Sequence, residues 1–256
     1  KTPVKIINSS CFDLILGSPS LRRDYMDFCL FHVEHSYLTL FTEYAHALKQ
    51  RNALLKSRSN LSELDYWDAF LAVRCNAISK YRIEIIQMIN HILSSYFSES
   101  FLNNPVEIIY QPGWNTELMF LDVLKKNRSR DIKYGFTRYG VHRDELKYIS
   151  NGFDIQRIFS RGQIKKTSIF LILSQLILLN EKVSKKSILL IDDITSELDN
   201  VSTDYVLRKL SNMNLQLFIT NINFNKNLLR HHEEFKLFHV EHGMIKAVKN
   251  NRESNV

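Results

Sequence analysis

The chain has 256 residues, 45% hydrophobic and 24% charged, which excludes a disordered polymer and leaves room for one large domain or two modest ones. Its net charge of +7 is concentrated: residues 122–166 hold 12 Lys or Arg against 5 Asp or Glu, while the remainder balances at 22 against 22. Such a segment suits a polyanion, DNA or nucleotide, or else is an ordinary solvated basic face.

The three cysteines are far apart, so no disulfide framework or CxxC metal site is expected and a reducing cytoplasm fits. The first eight residues carry no apolar signal core, and a text opening on Lys1 is expected to begin inside a longer coding sequence or after processing. The longest apolar stretch, residues 169–179 broken by Ser174 and Gln175, is shorter than the roughly 20 residues a bilayer needs and reads as a buried helix. No membrane partner is expected.

In chain order, residues 1–20 read as strand and turn: Lys5-Ile6-Ile7 and Leu14-Ile15-Leu16 are short apolar runs, and Gly17-Ser18-Pro19-Ser20 is a turn. From residue 21 to about 56, Tyr25, Phe28, Cys29, Leu38, Phe41, Tyr44, Ala45 and Leu48 follow three- and four-residue steps, which predicts a helix. Residues 57–61 break the pattern, with Asn60 or Ser62 as N-cap of a second helix reaching about residue 98. Neither Gly nor Pro occurs between Ser20 and Leu102. The pair predicts an antiparallel helical hairpin, or arm.

After Pro105 the pattern changes. Residues 106–110 read as a strand, 116–126 as a helix, and 134–149 as strands with tight turns. A helix over 162–181, a strand over 187–191, a helix over 202–212 and a strand over 215–220 follow. The last pair, 235–241 and 244–248, turns at His242-Gly243. Helices alternating with apolar strands predict an α/β sheet covered on both faces. The pentapeptide Phe-His-Val-Glu-His occurs at 31–35 and 238–242, helical in the first copy and extended in the second, so no duplicated zinc site is expected.

Two segments carry chemistry. Residues 187–191 end in Asp192-Asp193, two carboxylates at the end of an α/β strand where ligands bind. Asp192 can hold Mg²⁺ beside phosphates and Asp193 can orient water, although an acidic turn after a core strand looks the same. Ser160-Arg161-Gly162-Gln163 opens the helix over 162–181, with Ser160 as cap, Gly162 permitting close approach, and Lys165 and Lys166 adding charge. An ordinary capped helix has the same features.

The order of these segments resembles the second half of an ABC-type ATPase head. The Ser-x-Gly-Gln turn stands for the signature, the Asp192-Asp193 strand for Walker B, and Ser196-Glu197-Leu198-Asp199 for the D-loop. Thr220 ends the switch strand. Within that superfamily the chain resembles the RecF family. Residues 17–27 resemble its Gly-x-Pro-x-x-Arg-Arg segment, with Phe31-His32-Val33-Glu34 following at the right place. Residues 47–55 resemble its helical-arm motif. Residues 140–146 resemble its Gly-Pro-His-Arg-Asp-Asp-Leu segment, with Val141 in place of Pro. Asp193 stands where many ABC ATPases have Glu.

The resemblance implies the end of an N-terminal ATPase lobe at 1–20, an arm at 21–104, and a C-terminal lobe at 105–256. It implies ATP and Mg²⁺ as cofactors, Asp192 and Asp193 as catalytic residues, and Ser160, Arg161, Gly162, Gln163, Asp199 and Thr220 as ATP contacts. It implies an ATP-dependent homodimer that clamps gapped or junction DNA in recombinational repair, with a RecR-type mediator as partner. The candidate DNA contacts are Lys125, Lys126, Arg128, Arg130, Arg138 and Arg143, which salt bridges could equally occupy.

One element of the family pattern is absent: no Gly-x-x-x-x-Gly-Lys-[Ser/Thr] occurs in these 256 residues. The chain alone is therefore expected neither to bind ATP tightly nor to hydrolyse it, and to expose apolar surface. An ATP-independent binding module, an inactive remnant and a transporter ATPase are the alternatives.

Overall fold

A computed structural model gives the fold and describes residues 2–101, 104–183, 186–222 and 235–248. The side chains of 98–101, 196 and 197 lie outside the description, so the Ser196-Glu197 part of the expected D-loop does too.

A parallel sheet has the order β1 (Val4–Ile7), β5 (Ser187–Ile191), β6 (Leu215–Ile219). Ile7 pairs with Ile191, and Ile191 with Ile219, so the three strand ends meet at one edge. One face, with Ile7, Leu189 and Ile191 buried, joins the core of helix α7 (Arg161–Lys182). Its 169–179 stretch is wholly buried, and Ser174 Oγ donates to the Phe170 carbonyl at 2.8 Å. Gln175 Nε2 donates to the Tyr25 carbonyl at 2.5 Å. Ser174 Oγ and Gln175 Nε2 thus stay hydrogen-bonded. With its flanks α7 is long and apolar enough to cross a membrane, yet 78% of that apolar window is buried inside the protein.

Among the described residues the other face of the sheet is left partly open rather than covered, in line with the expected exposed apolar surface. Val4, Ile6 and Phe218 are 43%, 54% and 49% exposed. Ile6, Leu190 and Phe218 stand in one register row, so the exposed apolar surface is contiguous across three strands. Apolar side chains on both sides of a strand show what could be buried; the docking of helices decides which side is.

Helix α2 (Pro19–Val33) and helix α3 (Tyr37–Ser57) replace the single helix expected over 21–56. The break has a local cause: Glu34 Oε1 accepts from the Ser36 amide at 3.1 Å and from its hydroxyl at 2.8 Å, competing with the helix ladder. The 14–16 run, read as extended, forms the short helix α1 (Asp13–Leu16). Helix α4 (Leu64–Phe101) follows a 3-10 turn and returns antiparallel to α3, pairing Tyr81 with Tyr37, Arg74 with Glu43 and Trp67 with His46.

The hairpin is built into the body. Asp68 of α4 meets Arg128, Arg82 meets Asp27 and Asp144, and Phe97 stacks on Phe170 of α7 at 4.6 Å. Helix α5 (Phe120–Tyr134) begins later and runs longer than the 116–126 segment predicted. Asn115 makes a turn that accepts from the Glu117 amide, and Gly135, at φ +77°, ends the helix with its N–H on the Asp131 carbonyl at 2.7 Å.

Residues 134–149, read as several strands, hold a 3-10 turn at Val141–Arg143 and one strand, β3 (Glu145–Ser150). It pairs antiparallel with β2 (Glu107–Gln111) and with β4 (Phe153–Asp154) across the Asn151-Gly152 turn. Short helix α6 (Ile155–Ile158) leads to α7. Helices α8 (Ile194–Glu197) and α9 (Asn200–Ser211) separate β5 from β6, and β7 (Leu237–Glu241) pairs with β8 (Met244–Val248). The repeated pentapeptide accordingly begins within α2 in one copy and within β7 in the other.

Candidate nucleotide site and nucleic-acid surface

At the carboxyl end of β5 three of the expected residues meet. Thr220 Oγ1 donates to Asp192 Oδ1 at 2.6 Å and accepts from the Asp193 amide at 3.0 Å. The Asp192 amide donates to the Ile7 carbonyl and the Thr220 amide to the Ile191 carbonyl, both at 2.9 Å, so all three strands of the sheet converge here. Thr195 Oγ1 lies 3.1 Å from Asp193 Oδ1 and 2.8 Å from Asn221 Oδ1, adding two residues that sequence reasoning missed.

Asp193 holds a left-handed conformation (φ 45°, ψ 64°), which a non-glycine residue adopts at a cost. That geometry turns the chain from β5 into α8. Among the described residues no cluster of three or more metal-ligating side chains exists. An exposed aspartate at a strand end still suits Mg²⁺, which takes one or two carboxylates and completes its shell with water and phosphate.

The Ser160–Gln163 turn is exposed and forms a complete capping box. Ser160 Oγ accepts from the Gln163 amide at 3.3 Å, and Gln163 Oε1 accepts from the Ser160 amide at 2.8 Å. A side chain at Gly162 would meet nothing within 4 Å, so an incoming group could approach its backbone. Asp199 caps α9, accepting from the Ser202 amide at 2.8 Å and hydroxyl at 2.9 Å. The Ser202 amide, with a further pull from Lys166, holds its carboxyl below the usual carboxylate range. Lys166 lies one turn into α7, so the structure brings the start of that helix and Asp199 into one electrostatic neighbourhood.

The basic candidates divide. Lys125, Lys126 and Arg130 are exposed on α5, and Arg143 is exposed beyond it. Arg138 is half-buried, its guanidinium 5.3 Å from the Tyr134 ring. Arg128 takes the salt-bridged alternative that the sequence left open: its Nη2 lies 2.6 Å from both Asp65 and Asp68 of α4.

Two of the family-like segments, 17–27 and 140–146, prove to be structural partners, and the third, 47–55, anchors a separate cluster. Arg82 binds Asp27 through Nε at 3.0 Å and Nη2 at 2.8 Å, and binds Asp144 at 2.6 Å. Tyr37 donates to Asp27, Tyr110 to Asp144, and the Gly113 amide to Asp144. Arg22 grips Glu145 through two nitrogens, at 2.5 and 2.8 Å. In a second cluster Arg51 binds Asp68 at 2.6 Å, with Asp131 and Thr137 both at 2.8 Å. Paired charges at helical spacing hint at such anchors, but their partners are too distant in sequence to be read from it.

His142 sits between these clusters. Its Nε2 lies 3.1 Å from the Thr137 carbonyl, which can only accept, so Nε2 carries the proton and Nδ1 accepts from Tyr44 at 2.7 Å. Burial, with Arg143, Arg23 and Arg51 nearby, pushes its pKa down to about 4, and the ring is neutral at pH 7.

A parallel sheet with an acidic strand end, a capped helix start and a built-in helical hairpin defines the C-terminal part of an ABC-type ATPase head. The backbone matches a solved structure of the recombination mediator protein RecF with ATP in the RecFOR pathway, with TM-score 0.82 and 27% identity over 97% of this chain and 68% of that one. A second RecF structure, with ATPrS, gives 0.81 and 26% with the same coverage. The chain is 32% identical over 249 residues to the DNA replication and repair protein RecF of Pseudoalteromonas atlantica. It is 34% identical over 249 residues to that of Pseudoalteromonas translucida. Both matches cover 95% of this chain and 68% of the relative. No protein-family model matches. The chain belongs to the RecF family of DNA replication and repair proteins.

Proposed function

We propose that this chain is the C-terminal part of an ATP-driven DNA clamp acting at gaps or single-/double-strand junctions in recombinational repair. What carries the reading is the hydrogen-bonded set Asp192, Asp193 and Thr220 at the carboxyl end of β5, in a chain of the RecF family.

In this reading residues 21–104 are the arm and 105–256 the C-terminal lobe. Asp192 holds Mg²⁺, which when bound would neutralise phosphate charge. Asp193 orients water, and Thr220 fixes both carboxylate-bearing residues against the sheet. Ser160, Arg161, Gly162 and Gln163 offer the start of α7 to nucleotide held by a second copy, and Asp199 couples the two sites. Because the contact is two-fold, one surface serves both copies. DNA follows Lys125, Lys126, Arg130, Arg138 and Arg143, a RecR-type mediator is the protein partner, and the cytoplasm is the compartment.

The test begins with the protein purified from its own cells, whose intact mass is compared with 30.2 kDa. Its affinity for gapped DNA and its mass in solution are then measured with and without ATP and Mg²⁺. Doubling of mass and tighter gap binding with ATP support the clamp. Gap binding indifferent to ATP points instead to a binding module without ATPase activity. These 256 residues alone are expected to show no micromolar ATP affinity, because they hold no phosphate loop.

A further inference from the structure

The basic helix α5 ends in an aromatic pair that the clamp reading does not use. Tyr134 and Phe136 are 57% and 39% exposed, with ring centroids 6.3 Å apart and planes inclined by 49°. Cations surround them. Arg138 lies 5.3 Å from the Tyr134 ring, Lys133 6.0 Å from the same ring, and Arg143 5.6 Å from the Phe136 ring. None of these three cations is within salt-bridge distance of a carboxylate among the described residues. The charges of exposed Lys133 and Arg143 therefore stay available to phosphates, while half-buried Arg138 also feels the Asp131 carboxylate. Lys125, Lys126 and Arg130 continue the exposed basic surface along the helix. A side chain at Gly135 would sit 3.6 Å from the α-carbon of Lys56, which places an exposed lysine of α3 beside the pair.

The pair is mounted rigidly. Gly135 takes the left-handed turn that separates the two rings. Thr137, one residue on, is buried, and its amide and hydroxyl both donate to Asn52 Oδ1 at 2.7 Å. Its hydroxyl accepts from Arg51 at 2.8 Å, and its carbonyl accepts from His142. A surface pre-organised in this way loses little conformational entropy on binding.

We infer that Tyr134 and Phe136 form a stacking platform for unpaired bases of single-stranded DNA, with Lys133, Arg138 and Arg143 taking the flanking phosphates. The inference rests on the reading of the chain as a DNA-binding protein. Phosphate attraction alone needs cations and no exposed rings. Duplex bases have their faces occupied by neighbouring bases, whereas a gap or single strand presents a free π-face that an aromatic side chain can take. The platform would make the basic surface selective for unpaired DNA.

The full chain and Tyr134→Ala/Phe136→Ala are compared by fluorescence anisotropy on three DNAs. These are an intact duplex, a duplex with a short thymidine gap, and the same gap built from abasic spacers. The wild-type chain is expected to prefer the thymidine gap to the abasic gap by roughly 10- to 100-fold. The double variant loses that preference and keeps its duplex affinity. Equal wild-type affinity for the two gaps overturns the platform and leaves DNA binding standing. So does a variant that loses duplex and gap binding by the same factor. No binding to any of the three by the protein from its own cells with ATP and Mg²⁺ sinks the DNA-binding reading along with the platform. Should the double variant fail to fold, the two gaps on the wild-type chain decide the matter without it.

Discussion

The guanidinium of Arg82 lies 2.6 Å from the carboxylate of Asp144, two buried side chains 62 positions apart in sequence. The same arginine holds Asp27, so α2, α4 and the entry to β3 are tied at one point. Burial works against the charge of Arg82, but Asp27, Tyr37 and Asp144 outweigh it and raise its pKa well above the usual arginine value. Replacing Arg82 by Met leaves two carboxylates buried without their counter-charge. The expected loss is about 3–5 kcal/mol, read from urea denaturation. Arg82→Lys keeps the charge but loses the fork geometry, and its midpoint is expected between the two. An unchanged midpoint in Arg82→Met would show that the cluster contributes nothing.

His142 supplies a pH dependence. Its folded pKa is about 4, below the unfolded value of about 6.5, so the unfolded chain binds more protons between those limits. The stability from keeping the ring neutral is complete above about pH 6.5 and is lost as pH falls through about 4. The effect is on the order of 3 kcal/mol. His142→Gln should flatten the stability profile in that window while leaving its shape above pH 7 unchanged. Identical profiles in the two proteins would remove His142 as the cause.

Arg128 and Arg130 are two positions apart on α5 and should behave differently. Arg130→Ala is expected to weaken binding to every DNA alike and to lower the salt slope of affinity by about one. Arg128→Ala should leave that slope alone and lower the denaturation midpoint, because buried Asp68 loses one of its two arginine partners. The reverse pattern would exchange their roles.

The capping box at the start of α7 makes a local prediction. Ser160→Ala removes the acceptor for the Gln163 amide and is expected to cost about 1 kcal/mol, or about 2–4 °C in Tm for a chain of this size. No shift in Tm would mean that the box adds nothing to the stability of α7.

Thr220→Val removes the acceptor of the Asp193 amide and the donor to Asp192. Faster hydrogen exchange at the Asp193 amide is expected, with a stability loss of about 1 kcal/mol. Unchanged exchange there would mean that the threonine does not hold the turn.

Much of the fold was legible because its signals are local. The β5 strand spans the five apolar-rich residues that the pattern indicated, and α7 differs from its reading by one residue at each end. The His242-Gly243 turn lies where two positive-φ residues are needed. Other signals were available but outweighed: Gly135 marks the end of α5, and Asn151-Gly152 marks the β3–β4 turn. The break between α2 and α3 had no Gly or Pro to announce it, since a glutamate and a serine side chain make it.

By itself, the amino-acid sequence determined the alternation of α7, β5, α9 and β6, the acidic end of β5, the capped start of α7 and the family they resemble. Those features depend on residues within a few positions of one another. Only the tertiary structure decided that Arg128 is salt-bridged while Arg130 stays exposed, and that Val4, Ile6 and Phe218 line the partly open sheet face. It alone brought Asp192, Asp193 and Thr220 into one hydrogen-bonded set. Burial and pairing are properties of neighbours in space, and those neighbours come from segments that only packing brings together.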